Sequence, residues 1–229
     1  LAFVAKGLAG RALLESYSAE RVAAAREICE EAGKSTRFMT PPTPGFRLMR
    51  DAVLSLTLSE DFPKDLLHWR TARPHDHTDS ALNSFPKEDA AFAGGPACGA
   101  PLRNVRLGED AFLFDRLGTG FHLLCFAGAE GPDAALSVLL RAAAAEAVPL
   151  RRVLVTPRAT PAVAALAETV IEDPEGRAAA RHAAAAGAAY LARPDQHVCA
   201  RWPRTPRPEA LAEALAIACA RRLAREGAR

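Results

Sequence analysis

Metal chemistry is the first that residue spacing suggests in this chain. His75, Asp76, His77 and Asp79 stand almost side by side. Alternate residues of an extended segment point the same way, so both imidazoles could face one ion. A zinc site needs at least a third protein ligand, and the sequence places none. The segment therefore reads as a polar loop. Thiol chemistry comes second. Cys98 follows Gly94-Gly95-Pro96-Ala97, a setting that predicts exposure. A peroxidatic cysteine needs a nearby cation and a helix N-terminus. Arg103 is close in sequence, but the context is a loop, so an incidental thiol is expected. A thiol-dependent antioxidant enzyme using Cys98 is carried only as a third reading.

Other reactive residue types have plainer expectations. Cys125 and Cys219 lie in apolar surroundings and read as small buried side chains. His122 alternates with Phe121 and Leu123, which predicts a core or interface histidine on the opposite face of a strand. Spacing fixes no nucleophile or carboxylate beside it. Glu172, Asp173 and Glu175 flank Pro174 and Gly176, the pattern of a solvated turn. Arg201, Arg204 and Arg207 alternate with Pro203, Pro206 and Pro208. That stretch is too short and rigid for a nucleic-acid footprint. No catalytic, cofactor-binding or metal-ligating residue is assigned.

The 229 residues suffice for one large domain or two small ones. A hydrophobic share of 49% and a charged share of 24% fit a globular protein and exclude disorder, collagen-like and disulfide-scaffold classes. A net charge of +2 argues against nucleic acid. Of 29 basic residues, only Lys6, Lys34, Lys64 and Lys87 are lysine, a bias of GC-rich coding rather than of function. The five cysteines (Cys29, Cys98, Cys125, Cys199, Cys219) are odd in number and contain no C-x-x-C pair. A reducing cytoplasm is expected. No segment approaches the ~18 apolar residues of a membrane helix. The chain opens on an apolar helical pattern without Met, without a cap and without signal-peptide features. It reads as part of a longer polypeptide.

Periodicity then supplies the elements. Residues 1 to 33 read as helix, interrupted at Gly7-Leu8-Ala9-Gly10 and stopped by Gly33. Arg37 to Pro44 is a Pro-rich break, and Phe46 to Leu58 a second helix with a broad apolar face. Residues 59 to 100 contain short apolar pieces such as Leu66-Leu67-His68-Trp69 and predict irregular structure with one or two short strands. Gly94-Gly95-Pro96 marks the expected domain boundary, dividing 1–95 from 96–229. Beyond it, strands are expected at Phe112-Leu113-Phe114, Gly120 to Ala127, Leu150 to Val155, Gly187 to Ala192 and Val198 to Trp202. Helices are expected at Pro132 to Ala147, Pro161 to Glu168 and Pro208 to Arg225. Arg193-Pro194-Asp195-Gln196 has hairpin-turn chemistry.

The order is β-α-β, a short helix, then β-β-α. The first half requires a parallel pair with a crossover, the second a hairpin under a covering helix. That is α/β, thioredoxin-like topology after an N-terminal helical segment. A redox pair in such a fold would follow the first core strand, where the next helix lowers a thiol pKa. The sequence there is Ala127-Gly128-Ala129-Glu130-Gly131-Pro132-Asp133, without cysteine. Gly187-Ala188-Ala189 stands where a proline is usual before the third core strand.

Several stretches resemble one family. Leu13-Leu14-Glu15-Ser16-Tyr17-Ser18-Ala19-Glu20-Arg21 resembles the L-L-x-x-Y-x-x-E-R helix after the flavin domain of FAD-dependent aromatic-ring hydroxylases. These are the phenol and 3-(3-hydroxyphenyl)propionate hydroxylases. Gly99-Ala100-Pro101-Leu102 resembles the start of their C-terminal domain, and Leu117-Gly118-Thr119-Gly120-Phe121-His122-Leu123-Leu124 its first core strand. Asp173-Pro174-Glu175-Gly176 and the run from Gly187 to Trp202 resemble its closing part. The family's G-x-G-x-x-G fingerprint and its Gly-Asp flavin segment are absent, so no flavin residue carries over to this chain.

The resemblance implies the C-terminal part of an FAD-dependent, NAD(P)H-using monooxygenase that hydroxylates aromatic compounds. It also implies an upstream flavin-binding domain as partner and an aromatic small molecule as substrate. This chain alone is expected to hold no cofactor and to be inactive. The alternative is a stand-alone, non-catalytic thioredoxin-like interaction or dimerisation module. Neither a nucleic acid nor a membrane is expected as partner, and a homodimer stays open.

Overall fold

The computed structural model of the chain describes residues 1–66 and 74–221. Two compact units are present, Leu1–Tyr17 with Asp76–Arg229, and Ser18–His75. In chain order the helices are α1 (Ala2–Ala5), α2 (Leu13–Met39), α3 (Pro44–Leu56), α4 (Ala134–Ala144), α5 (Pro161–Ala164), α6 (Arg177–Arg181) and α7 (Pro208–Ala218). The strands are β1 (Phe121–Phe126), β2 (Leu150–Thr156), β3 (Thr169–Glu172), β4 (Ala189–Ala192) and β5 (Val198–Trp202).

The larger unit is built on a mixed five-stranded sheet in the order β3-β2-β1-β4-β5. β1 pairs parallel with β2 and β2 with β3, while β4 runs antiparallel to β1 and β5 to β4. Every residue of β1, Phe121-His122-Leu123-Leu124-Cys125-Phe126, is buried. A central strand covered on both faces reads as a continuous apolar run for that reason. Phe121, Leu123 and Cys125 pack with Leu136, Leu139 and Leu140 of α4 and Leu211 and Leu215 of α7. Leu124 and Phe126 pack on the other face with Leu102, Val105, Leu113 and Tyr190. Phe3 of α1 meets Phe121 edge to face, with ring centroids 5.7 Å apart.

The expected β1-helix-β2 and β4-β5-helix segments are present, with α4 between parallel strands and α7 after the hairpin. Asp133 caps α4 by accepting from the Leu136 amide at 2.7 Å. Several details differ from expectation. Phe112-Leu113-Phe114 is not a strand. Phe112 makes one bridge to Arg106, and the Asp115 carboxylate accepts from the Phe112 amide at 2.9 Å, winding Leu113–Arg116 into a 3-10 turn. The helix at Pro161 stops at Ala164, and Thr169–Glu172 forms a parallel edge strand that the short run did not suggest. β4 starts at Ala189, because Gly187 takes φ +88° and its amide bonds the Phe126 carbonyl at 2.7 Å. The closing helix ends at Ala218; residues 222 to 225 of the expected span lie outside the described residues.

In the smaller unit, Gly33 does not stop its helix. α2 continues to Met39 and ends before Pro41-Pro42. A helical glycine costs only about 1 kcal/mol, whereas a pre-proline residue is excluded sterically from continuing. Thr43 then caps α3 by accepting from the Phe46 amide, with Pro44 in the first turn. Phe62–Leu66 and Lys87–Ala91 are 3-10 turns, and no strand occurs among the described residues of 59–100. Leu67-His68-Trp69 lies outside the described residues.

Candidate functional site

The loop after β1 is the first place to look for chemistry. Gly128 and Gly131 form an isolated bridge, and the Gly131 amide donates to the Gly128 carbonyl at 3.0 Å. The tight turn presents no thiol. Cys125, two residues before it, is fully buried, and burial pushes its thiol up to about 12. A thiol held that far above neutrality is not a nucleophile at pH 7.

The densest polar constellation lies elsewhere, between β5, β4 and the segment 84–98. Arg201 of β5 is buried. Its guanidinium donates to Asp89 at 2.5 Å and 3.3 Å, to the Gly94 carbonyl at 2.9 Å and to the Pro96 carbonyl at 3.1 Å. It also lies 4.5 Å from the centre of the Phe92 ring. Cys98 points into the same place, its Sγ 3.4 Å from the Ser84 carbonyl and 3.9 Å from Asp89. The Tyr190 hydroxyl donates to the His182 carbonyl. The Tyr190 ring meets Phe92 and His182 at centroid distances of 5.4 and 5.5 Å.

Electrostatics make this cluster a fastening. Burial, reinforced by the Asp89 charge, pushes the Cys98 thiol up to about 12. Burial likewise pushes the Tyr190 phenol up to about 12. Both keep their protons. Arg201 loses solvation, but Asp89 more than compensates and holds it charged. The result pins residues 84–98 across the sheet edge, where the Ser84 amide also bonds the Cys199 carbonyl at 2.6 Å. Cys98 is thus 2% exposed, against the expectation from its Gly-Gly-Pro context. The reason is the φ +87° turn at Gly99, whose amide bonds the Val198 carbonyl at 2.7 Å and turns the chain onto β5.

The remaining candidates are dispersed. His75 pairs with Glu27, whereas His77 is buried with its ring 4.8 Å from that of His197. Their imidazoles therefore have different neighbours. No group of three or more His, Cys, Asp or Glu placed to hold a metal ion occurs among the described residues. His122 is fully buried, as expected, and its Nε2 accepts from the Gly118 amide at 2.8 Å. Burial, with Arg151 nearby, lowers it to about 4. Asp173 is buried rather than solvated, because its carboxylate accepts from the Ala178 and Ala179 amides at 2.9 and 3.0 Å and caps α6. Glu172 accepts from the Ala159 amide at 2.8 Å, and Glu175 pairs with Arg177. The turn 193–196 is present, with Asp195 bonded to Arg193. Burial would raise that carboxyl, but hydrogen bonds from His197 and Arg193 hold it well below the usual carboxylate range.

Comparison with known proteins follows from this geometry. No family model matches the sequence. A 3-(3-hydroxy-phenyl)propionate/3-hydroxycinnamic acid hydroxylase of Mycolicibacterium smegmatis is 29% identical over 128 residues, 55% of this chain and 23% of the relative. The chain is similar to part of an aromatic-acid hydroxylase. A structure of the rebeccamycin biosynthetic enzyme RebC with reduced flavin matches 96% of this chain and 38% of its own, with 22% identity and a TM-score of 0.61. Aklavinone-11 hydroxylase with FAD and aklavinone matches 95% of this chain and 37% of its own, with 24% identity and a TM-score of 0.58. The flavin-dependent monooxygenase PieE with FAD and substrate gives 93% and 41%, with 21% identity and a TM-score of 0.60. The likeness implied by the sequence motifs is therefore present in sequence and in fold. The chain spans about a quarter of the curated relative and about two-fifths of the solved neighbours.

Proposed function

We propose that this chain is the C-terminal part of an FAD-dependent monooxygenase that uses NAD(P)H and oxygen to hydroxylate an aromatic compound. The observation that carries this reading is one of proportion. A nearly complete match of this chain to flavin-bearing proteins accounts for only about two-fifths of each. The strand order β2-β1-β4-β5, with α4 and α7 on one face, supports a thioredoxin-like label for the sheet unit. The five free thiols fit a cytoplasmic setting.

The N-termini of α4 and α7 do not fit a dinucleotide. A phosphate-binding loop presents free backbone amides at a helix N-terminus. Here the first turn of α4 is already capped by the Asp133 carboxylate, which repels a pyrophosphate. α7 opens on Pro208, which has no amide to give. Flavin binding is thus assigned to the rest of the polypeptide. The role of this chain is to hold a packed sheet unit and a helical unit in place. The protonated Cys98 and Tyr190 and the charged Arg201 serve packing, without a base or nucleophile pair among them.

The test is the length and visible absorption spectrum of the polypeptide carrying this chain, purified from its source. A longer polypeptide with a bound-flavin spectrum, bleached by NADH or NADPH, is the expected result. A colourless protein beginning at Leu1 would sink the reading and leave a non-catalytic interaction module.

A further inference from the structure

The unit Ser18–His75 has almost no core of its own. Among its described residues only Glu20, Val53 and Pro63 are buried. The apolar residues are present but face outward. On α3, Phe46, Met49, Val53 and Leu56 fall at spacings of three, seven and ten, which is one stripe of a 3.6-residue helix. Val53 is 6% exposed, yet Phe46, Met49 and Leu56 are 40%, 52% and 43% exposed. Leu58 and Phe62 extend the patch at 89% and 65%. Helices are held in proteins chiefly by burial of such a face, and a contiguous exposed patch marks an interaction surface.

We infer that the α3 stripe, continued by Leu58 and Phe62, is the docking face for the remainder of the same polypeptide. This rests on the reading that the chain is part of a longer protein. The solved neighbours favour this occupant. A match over 93–96% of the chain cannot leave out Ser18–His75, so those proteins carry the same helices in chains some two and a half times as long. Their additional polypeptide is at hand to cover the stripe. α3 itself carries too few cations for the Lys/Arg-rich face that anchors a membrane-surface helix. The charged residues of α3 are Arg47, Arg50 and Asp51, and Arg50 is paired with Asp51.

Met49 provides a direct reporter, since thioether oxidation follows access. The natural-length polypeptide would be treated with dilute peroxide, and sulfoxide at Met49 followed by peptide mass spectrometry over a dilution series. Oxidation of Met49 roughly tenfold slower than that of free N-acetylmethionine amide, at every protein concentration, is the expected result. A rate near that of the free compound would overturn the docking face even if the protein carries flavin. Protection that fades on dilution assigns the face to a second copy, and protection gained only with phospholipid vesicles assigns it to a membrane; each overturns the inference. A colourless long polypeptide with slow Met49 oxidation would remove the monooxygenase reading and leave the docking face standing. A natural polypeptide no longer than this chain removes both.

Discussion

Arg201 shows how one side chain organises this protein at the smallest scale. Its guanidinium bonds four oxygens on Asp89, Gly94 and Pro96, all more than a hundred residues away in sequence. Removing it would strand the Asp89 carboxylate and two carbonyls. Loss of one partner of such a pair costs about 3 kcal/mol or more, because the other charge stays behind in a poorly solvated place. Arg201→Met is therefore expected to lower the urea midpoint by an amount equivalent to about 3 kcal/mol, with Cys98 gaining reactivity towards a thiol reagent as residues 84–98 loosen. Arg201→Met combined with Asp89→Leu should recover much of the loss, since no charge is then left unpaired. A loss below about 1 kcal/mol in the single variant, with Cys98 still inert, would mean that the clasp does not hold the segment.

The same segment sets the behaviour of the elements it crosses. Gly95 has φ +72°, and an added Cβ would stand 2.3 Å from the His182 carbonyl oxygen and 2.7 Å from the Tyr190 hydroxyl. Gly176, before α6, has φ +67° but open space around it. The left-handed backbone alone costs an alanine about 1 kcal/mol. Gly176→Ala should show that much in a denaturation midpoint. Gly95→Ala should exceed it clearly, because two backbone or anchored atoms must move and the Tyr190 hydrogen bond with them. Equal effects would show that the chain at Gly95 can withdraw from β4 without penalty. Element by element, the sequence was legible where local chemistry decides. The strongly apolar stretch at Phe121–Phe126 marked β1, the Val-rich stretch ending at Val155 marked β2, and Asp195 within the 193–196 turn marked the hairpin to β5. It was not legible where tertiary partners decide. β3 is four residues long and gains its identity from pairing with β2. Gly33 fits a helix stop locally, yet α2 runs through it. The Asp89–Arg201 pair is 112 positions apart and leaves no local signal, so Arg201 read only as part of a short basic stretch and Cys98 as exposed.

At the scale of the whole molecule, burial of ionisable groups in neutral form dictates the pH range of stability. His122 is lowered from the ordinary 6.5 to about 4, by burial first and Arg151 second, and burial also lowers His182. Their unfolded forms bind protons between pH 6.5 and about 4 when the folded forms do not. This contribution is complete above pH 6.5 and is lost as pH falls through that window. His122 alone accounts for about 3 kcal/mol of it over the whole window. Asp195 and Glu168 are both held low, against burial, by arginine and hydrogen-bond partners. Their contribution is present above the usual carboxylate range and is lost only in stronger acid. The alkaline side has the opposite sign. Cys98 and Cys125 are raised from 9.0 to about 12, Tyr190 from 10.0 to about 12, and burial raises Cys199 and Cys219 as well. Unfolding lets these groups ionise, so stability is complete below pH 9 and falls as pH rises beyond it. Each coupled proton changes the slope by about 1.4 kcal/mol per pH unit. Two histidines act on the first acid flank and up to five groups on the alkaline one. Urea midpoints taken under reducing conditions should therefore give a plateau from about pH 7 to pH 8.5, a moderate decline towards pH 5 and a steeper decline above pH 9.5. His122→Gln should flatten the acid decline, and Cys125→Ala should ease the alkaline one. A curve level from pH 7 down to pH 4.5 would mean that His122 is charged or solvated in the folded chain, and the burial of β1 would have to be revised.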